Sequence, residues 1–123
     1  MVDQSDQAAG GEMPIENQAR EQTGQREIQV RVDERNVDTN YANAFRASGT
    51  AEEVILDFGL NRVNPTAQAQ GRPEIIFQIS ERVTMNYYSA KRLAITLGQL
   101  VRRYEDQFGT LELDAMKRRK TGA

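Results

Sequence analysis

The chain of 123 residues has no cysteine, no histidine and no tryptophan. Without cysteine there is no disulfide, no thiolate metal ligand and no thiol nucleophile. Without histidine the commonest general base and the commonest nitrogen ligand are also missing. The usual zinc ligand sets and the Ser-His and Cys-His pairs are therefore out of reach of one copy. Aromatics are sparse, four Tyr and four Phe, so a core must rest on Ile, Leu and Val. Only three prolines are present, and two fall within residues 61–73. No apolar run approaches the roughly 20 residues that span a bilayer. The N-terminus lacks the basic and apolar regions of a signal peptide. A cytoplasmic protein with no membrane segment is the expectation.

Charge is nearly balanced, at −2 overall, but unevenly placed. Residues 1–25 carry Asp3, Asp6, Glu12, Glu16 and Glu21 against Arg20. The other end carries Lys117, Arg118, Arg119 and Lys120 against Asp114. Segment 1–25 is rich in Gln, Glu, Gly and Ala, holds no aromatic, and is expected to be a disordered acidic tail. Residues 26–113 are expected to form a single α+β domain, and residues 114–123 a flexible basic tail.

Within the middle segment, period-two alternation marks strands. Ile28, Val30 and Val32 predict a first strand over 27–33. Tyr41, Asn43, Phe45 and Ala47 predict a second over 41–48. Val54, Leu56, Phe58 and Leu60 predict a third over 53–60. The turn composition at Ser48-Gly49-Thr50-Ala51 joins the last two as a hairpin. Residues 61–73 read as a long mobile loop. Ile75, Phe77, Ile79, Val83 and Met85 predict a fourth strand over 74–85. Glu81 breaks that apolar parity, and twelve residues is long for a strand, so a bulge near Glu81 and Arg82 is expected.

Asn86 then offers an N-cap. Ala90, Leu93, Ala94, Leu97, Leu100, Val101, Tyr104 and Phe108 recur at helical spacing, and Gly109 stands where a C′ glycine ends a helix. The expected fold is α+β: an antiparallel sheet of about four strands, then one long C-terminal helix packed on one face. Leu111 and Leu113 extend this as a short strand or packing hook.

Several words of the sequence, in order, resemble a known family. They are Tyr41-Ala42-Asn43, Ser48-Gly49-Thr50 with Glu53-Val54, and Leu56-Asp57-Phe58. Arg82-Val83, Ala90-Lys91-Arg92-Leu93, Tyr104-Glu105 and Phe108-Gly109 follow. Over roughly residues 28–113 the chain is similar to the short bacterial and archaeal proteins known as domain of unknown function 3467. The family pattern has proline just after the helix cap, where Tyr87 stands here, and a shorter 61–73 loop. That resemblance implies a fold and no activity. The strand-then-helix order is also similar to the export chaperone SecB, at the level of fold alone.

The chemistry left to weigh is thin. Asp57-Phe58-Gly59 spells a kinase tripeptide, but the phosphate loop and catalytic loop that give it meaning are missing. The simpler reading has Phe58 packing and Asp57 pairing across the sheet with Arg46 or Arg82. Glu52, Glu53 and Asp57 do not follow any calcium-loop spacing. No cofactor, metal or catalytic residue is expected, and the chain is not expected to be an enzyme.

The leading expectation is a non-catalytic protein-interaction module, a homodimer with a further protein partner unnamed. Ile95, Gly98 and Arg102 lie off the apolar stripe and suggest a second helix seam. A chaperone-like binder of extended polypeptide is the alternative. Nucleic-acid binding through Lys117, Arg118, Arg119 and Lys120 ranks third, because no interleaved aromatics accompany those bases.

Overall fold

The computed structural model describes residues 14–119. Its elements are helix α1 (Ile15–Thr23), strands β1 (Ala44–Gly49) and β2 (Glu53–Val63), helix α2 (Pro65–Ala69), strand β3 (Ile75–Asn86), and helices α3 (Tyr87–Phe108) and α4 (Ala115–Arg118). The fold is α+β, as expected, with a long C-terminal helix. The sheet has three strands among the described residues, in the order β1-β2-β3 and antiparallel throughout.

The missing strand is the first. Residues 27–33 have the alternation of a half-buried strand but no strand partner among the described residues, and they remain irregular. Residues 14–25, expected to be disordered, contain α1. Its Glu, Gln, Ala and Arg are good helix formers. Pro14 precedes it in extended conformation, and Gly24 closes it with φ 75° and a bond from its N–H to the Arg20 carbonyl. The acidic positions before Pro14 lie outside the described residues.

By compactness the described residues divide into two units, one of residues 31–91 and one in which residues 14–30 join residues 92–119. In the first, the hairpin turns on Thr50. Its hydroxyl accepts from the backbone N–H groups of Glu52 (3.2 Å) and Glu53 (3.1 Å), and its own N–H donates to the Glu53 carbonyl. Tyr87, at the start of α3, donates its hydroxyl to the Thr50 carbonyl at 2.7 Å. A Cβ on Gly49 would strike that hydroxyl, so a larger residue there requires Tyr87 to shift.

The expected long loop is shorter and more ordered. β2 runs on to Val63, and Asn64-Pro65 opens α2, with the Asn64 side chain accepting from Thr66 N–H at 3.1 Å. The bulge falls one residue from its expected place. Phe58 pairs with Glu81 but Gly59 pairs with Ile79, so Ser80 is the extra residue. Gly59 is buried there, and a Cβ on it would come within 2.8 Å of the Gln78 carbonyl carbon and the Ile79 Cα.

In the second unit, Arg92 of α3 donates to Glu21 of α1 at 2.7 Å, and little of the Arg92 side chain is exposed. The cap and stop of α3 match expectation. Asn86 accepts from the Ser89 N–H at 2.7 Å, and Gly109, at φ 94°, donates its N–H to the Glu105 carbonyl. Leu111 and Leu113 form no strand; the Leu111 N–H donates to the Glu105 carboxylate at 2.9 Å. Among the described residues, no helix is long and apolar enough to cross a membrane.

Candidate functional site

Antiparallel register assigns every strand residue to one of two faces. Asp57, at the centre of β2, lies opposite Arg46 of β1 and Arg82 of β3 in one row. Its carboxylate takes four N–H bonds. Arg46 donates Nε (3.1 Å) and Nη2 (2.7 Å) to Oδ2. Arg82 donates Nε to Oδ1 (2.6 Å) and Nη2 to Oδ2 (3.2 Å). Asp57 is 2 % exposed and is the one fully buried charged or polar side chain among the described residues. The Arg82 and Arg46 hydrogen bonds hold its carboxyl at a pKa of about 2, well below the usual carboxylate range, against the opposing effect of desolvation. The pairing expected with one arginine is made with both.

The two guanidiniums remain open to water, with 57 % of the Arg46 and 60 % of the Arg82 side chain exposed. Rows on either side complete that face. Ser48, Ile55 and Thr84 form one; Ala44, Gly59 and Ile79 form the other. Beyond Ile79 the same face carries Phe77 opposite Asn61 and Ile75 opposite Val63. The bulge puts them there. Without Ser80, Ile75, Phe77 and Ile79 would share the face of Val83 and Met85. With it, the other face holds Phe45, Ala47, Val54, Leu56, Phe58, Leu60, Val83 and Met85.

A second feature is apolar. No hydrophobic side chain is buried among the described residues. The stripe of α3 is well formed but open: Leu97 keeps 50 %, Tyr104 47 % and Phe108 70 % of its surface, and Leu100 and Val101 are similarly half-exposed. Tyr104 and Phe108 pack against one another with ring centroids 4.8 Å apart and planes tilted by 39°. The burial expected for this stripe is not reached within one copy.

The expected interaction residues do not converge. Ile95 is exposed on the side of α3 roughly opposite the stripe, Arg102 is exposed near it, and a Cβ on Gly98 would meet open space. Gly98 therefore marks no close backbone approach among the described residues. Lys117 and Arg118 belong to α4, capped by Asp114, and Arg119 ends it. Arg118 donates to the Glu112 carbonyl at 2.6 Å. Lys120 lies outside the described residues. The row of Arg46, Asp57 and Arg82 as a joint feature was missed, although equal offsets around the Ala51-Glu52 turn and the β2–β3 loop carried the signal.

Among the described residues no group of three or more acidic side chains stands close enough to hold a metal ion. The family model described as a protein of unknown function (DUF3467) matches residues 9–113, most of the chain. No curated protein and no solved structure matches.

Proposed function

The chain belongs to the DUF3467 family, and we propose for it a cytoplasmic, non-catalytic interaction module whose apolar core is completed by a second copy of itself. One observation carries this reading: every apolar side chain of the described residues stays at least partly in water. Stable small folds bury an apolar face, and those that do not reach this alone gain it by association. The α3 stripe is the surface that fits. It is continuous over four turns, uncharged, and paired at its far end by Tyr104 and Phe108. A second copy presents the same stripe, so a two-fold pairing is self-complementary.

Sedimentation equilibrium from about 1 to 100 µM tests it, a range set by ordinary homodimer affinities. The expected result is a dimer whose melting temperature rises with protein concentration. A monomer with a cooperative, concentration-independent melt across that range defeats the reading. The chaperone-like alternative draws on the outer edges of β1 and β3, which no described strand covers. It requires that excess protein suppress aggregation of an unrelated unfolded client, and no effect retires it.

A further inference from the structure

A separate feature is the face of the sheet that carries Arg46, Asp57 and Arg82. Three charged groups meet in one row, and they do not cancel. One buried carboxylate sits between two guanidiniums, leaving a net charge of +1. Each guanidinium has five N–H donors and gives two to Asp57. Among the described residues the remaining donors have no hydrogen-bond partner, and both side chains are more than half exposed. Asp57 fixes the two forks in place, so little side-chain freedom remains to be lost when an anion arrives. Ser48 and Thr84 add hydroxyls in the next row.

On the other side of the arginine row the character changes. Ile79, Phe77 and Ile75, with Val63, continue along the same face. Ile75, Ile79 and Val63 are exposed and Phe77 half-buried. From the Asp57 row to the Val63 row is six residues of β2, roughly 20 Å at strand rise. The result is a track, cationic at one end and mostly apolar beyond it, with Asn61 beside Phe77 as its polar member. The Ser80 bulge makes it, by turning three apolar side chains toward the arginine side.

We propose that this track binds an extended peptide carrying a carboxylate side chain followed by apolar residues, the carboxylate seated on the Arg46–Arg82 pair. Charge complementarity selects the acid: the row is one negative charge short of neutrality, and guanidinium forks match a carboxylate in two-point geometry. The apolar residues follow at alternate positions, matching the period of the sheet face. The peptide lies on the face of the sheet and not along its edge, so affinity depends on the side chains of the ligand. This inference stands whether or not the chain self-associates.

The probe is a labelled peptide of roughly seven residues, the length that spans the track when extended. It carries one Glu followed by alternating Gly and Val, so that each Val shares the side of the Glu, and a counterpart has Gln in place of Glu. Binding to the full chain is read by fluorescence anisotropy at constant ionic strength. The Glu peptide is expected to bind about tenfold or more tightly than the Gln peptide, the scale of one charge-assisted two-point contact. R46K and R82K each keep a cation beside Asp57 but lose the fork. Each is expected to erase the Glu preference with the circular-dichroism melt retained. I79S leaves the arginines in place and is expected to weaken both peptides together. Inorganic phosphate is expected to displace the Glu peptide. Equal affinities for the two peptides, no binding of the Glu peptide at about 1 mM, or failure of phosphate to displace it overturns the assignment.

Discussion

Replacing Leu97 with alanine shortens one side chain in the middle of the α3 stripe. Leu97, Leu100, Val101, Tyr104 and Phe108 keep 50, 44, 45, 47 and 70 % of their surface. Full burial of such a side chain contributes about 1.5–3 kcal/mol, so about 1 kcal/mol remains available at each. Two copies together offer on the order of 10 kcal/mol. Association costs at least about 4 kcal/mol in lost translational and rotational freedom. A net of about 6 kcal/mol corresponds to a Kd in the tens of micromolar. In a two-fold pair the substitution acts twice. L97A therefore costs about 2 kcal/mol of dimer stability, a rise in Kd of roughly thirtyfold. Sedimentation equilibrium reads the Kd directly, and far-UV circular dichroism checks that the helix persists. Ile95→Ala, on the other side of α3, is the control and is expected to leave the Kd within about twofold, well inside that scale. A Kd for L97A within twofold of the parent refutes the reasoning. So does an I95A effect equal to that of L97A, which moves the seam to the Ile95 side.

Gly59→Ala forces a Cβ against the Gln78–Ile79 backbone. It is expected to lower stability by about 1–3 kcal/mol, seen as a shifted denaturant midpoint. The Asp57 carboxyl titrates near 2 when folded, below its ordinary 3.8. Its folded pKa is depressed, so its stabilisation is complete above about pH 4 and is lost as pH falls through 4 towards 2. The melting temperature of the native chain is expected to fall more steeply over that window than that of D57N. Equal slopes would show that the arginine row does not govern acid sensitivity. Asn86→Ala removes the side-chain acceptor for Ser89. It is expected to cost about 1 kcal/mol of helix stability, measured by thermal melting.

Much of the fold is legible in the residues because local chemistry specified it. The hairpin follows from two alternating runs around Gly49-Thr50. The helix follows from its stripe with Asn86 and Gly109 at its ends. Where local signals misled, the reason is physical. Ile28, Val30 and Val32 have the period of a strand, but a strand also needs a neighbour's backbone, and alternation alone carries no such information. Low hydrophobicity around α1 reads as disorder, while Pro14, Gly24 and a run of helix formers mark a helix. Asn64-Pro65, an N-cap followed by a first-turn proline, was available to be read as the start of α2. For the candidate site, Asp57 and both arginines were individually visible. Their meeting in one row depends on register, which rests on the whole of both pairings. The drift of Ile75, Phe77 and Ile79 to the arginine side depends on where the bulge falls, and one residue of error there reverses the answer.

Ser80 thus divides the apolar parity of β3: Ile75, Phe77 and Ile79 before it join Arg82 on one surface, and Val83 and Met85 after it stand on the other. The face each of these residues takes depends on the number of residues at the kink. Deleting Ser80 would leave every remaining side chain chemically intact and yet transfer Ile75, Phe77 and Ile79 together to the opposite side. Three conservative replacements would then be less consequential than one missing codon, and length at this point is the quantity that drift cannot alter without rebuilding both surfaces.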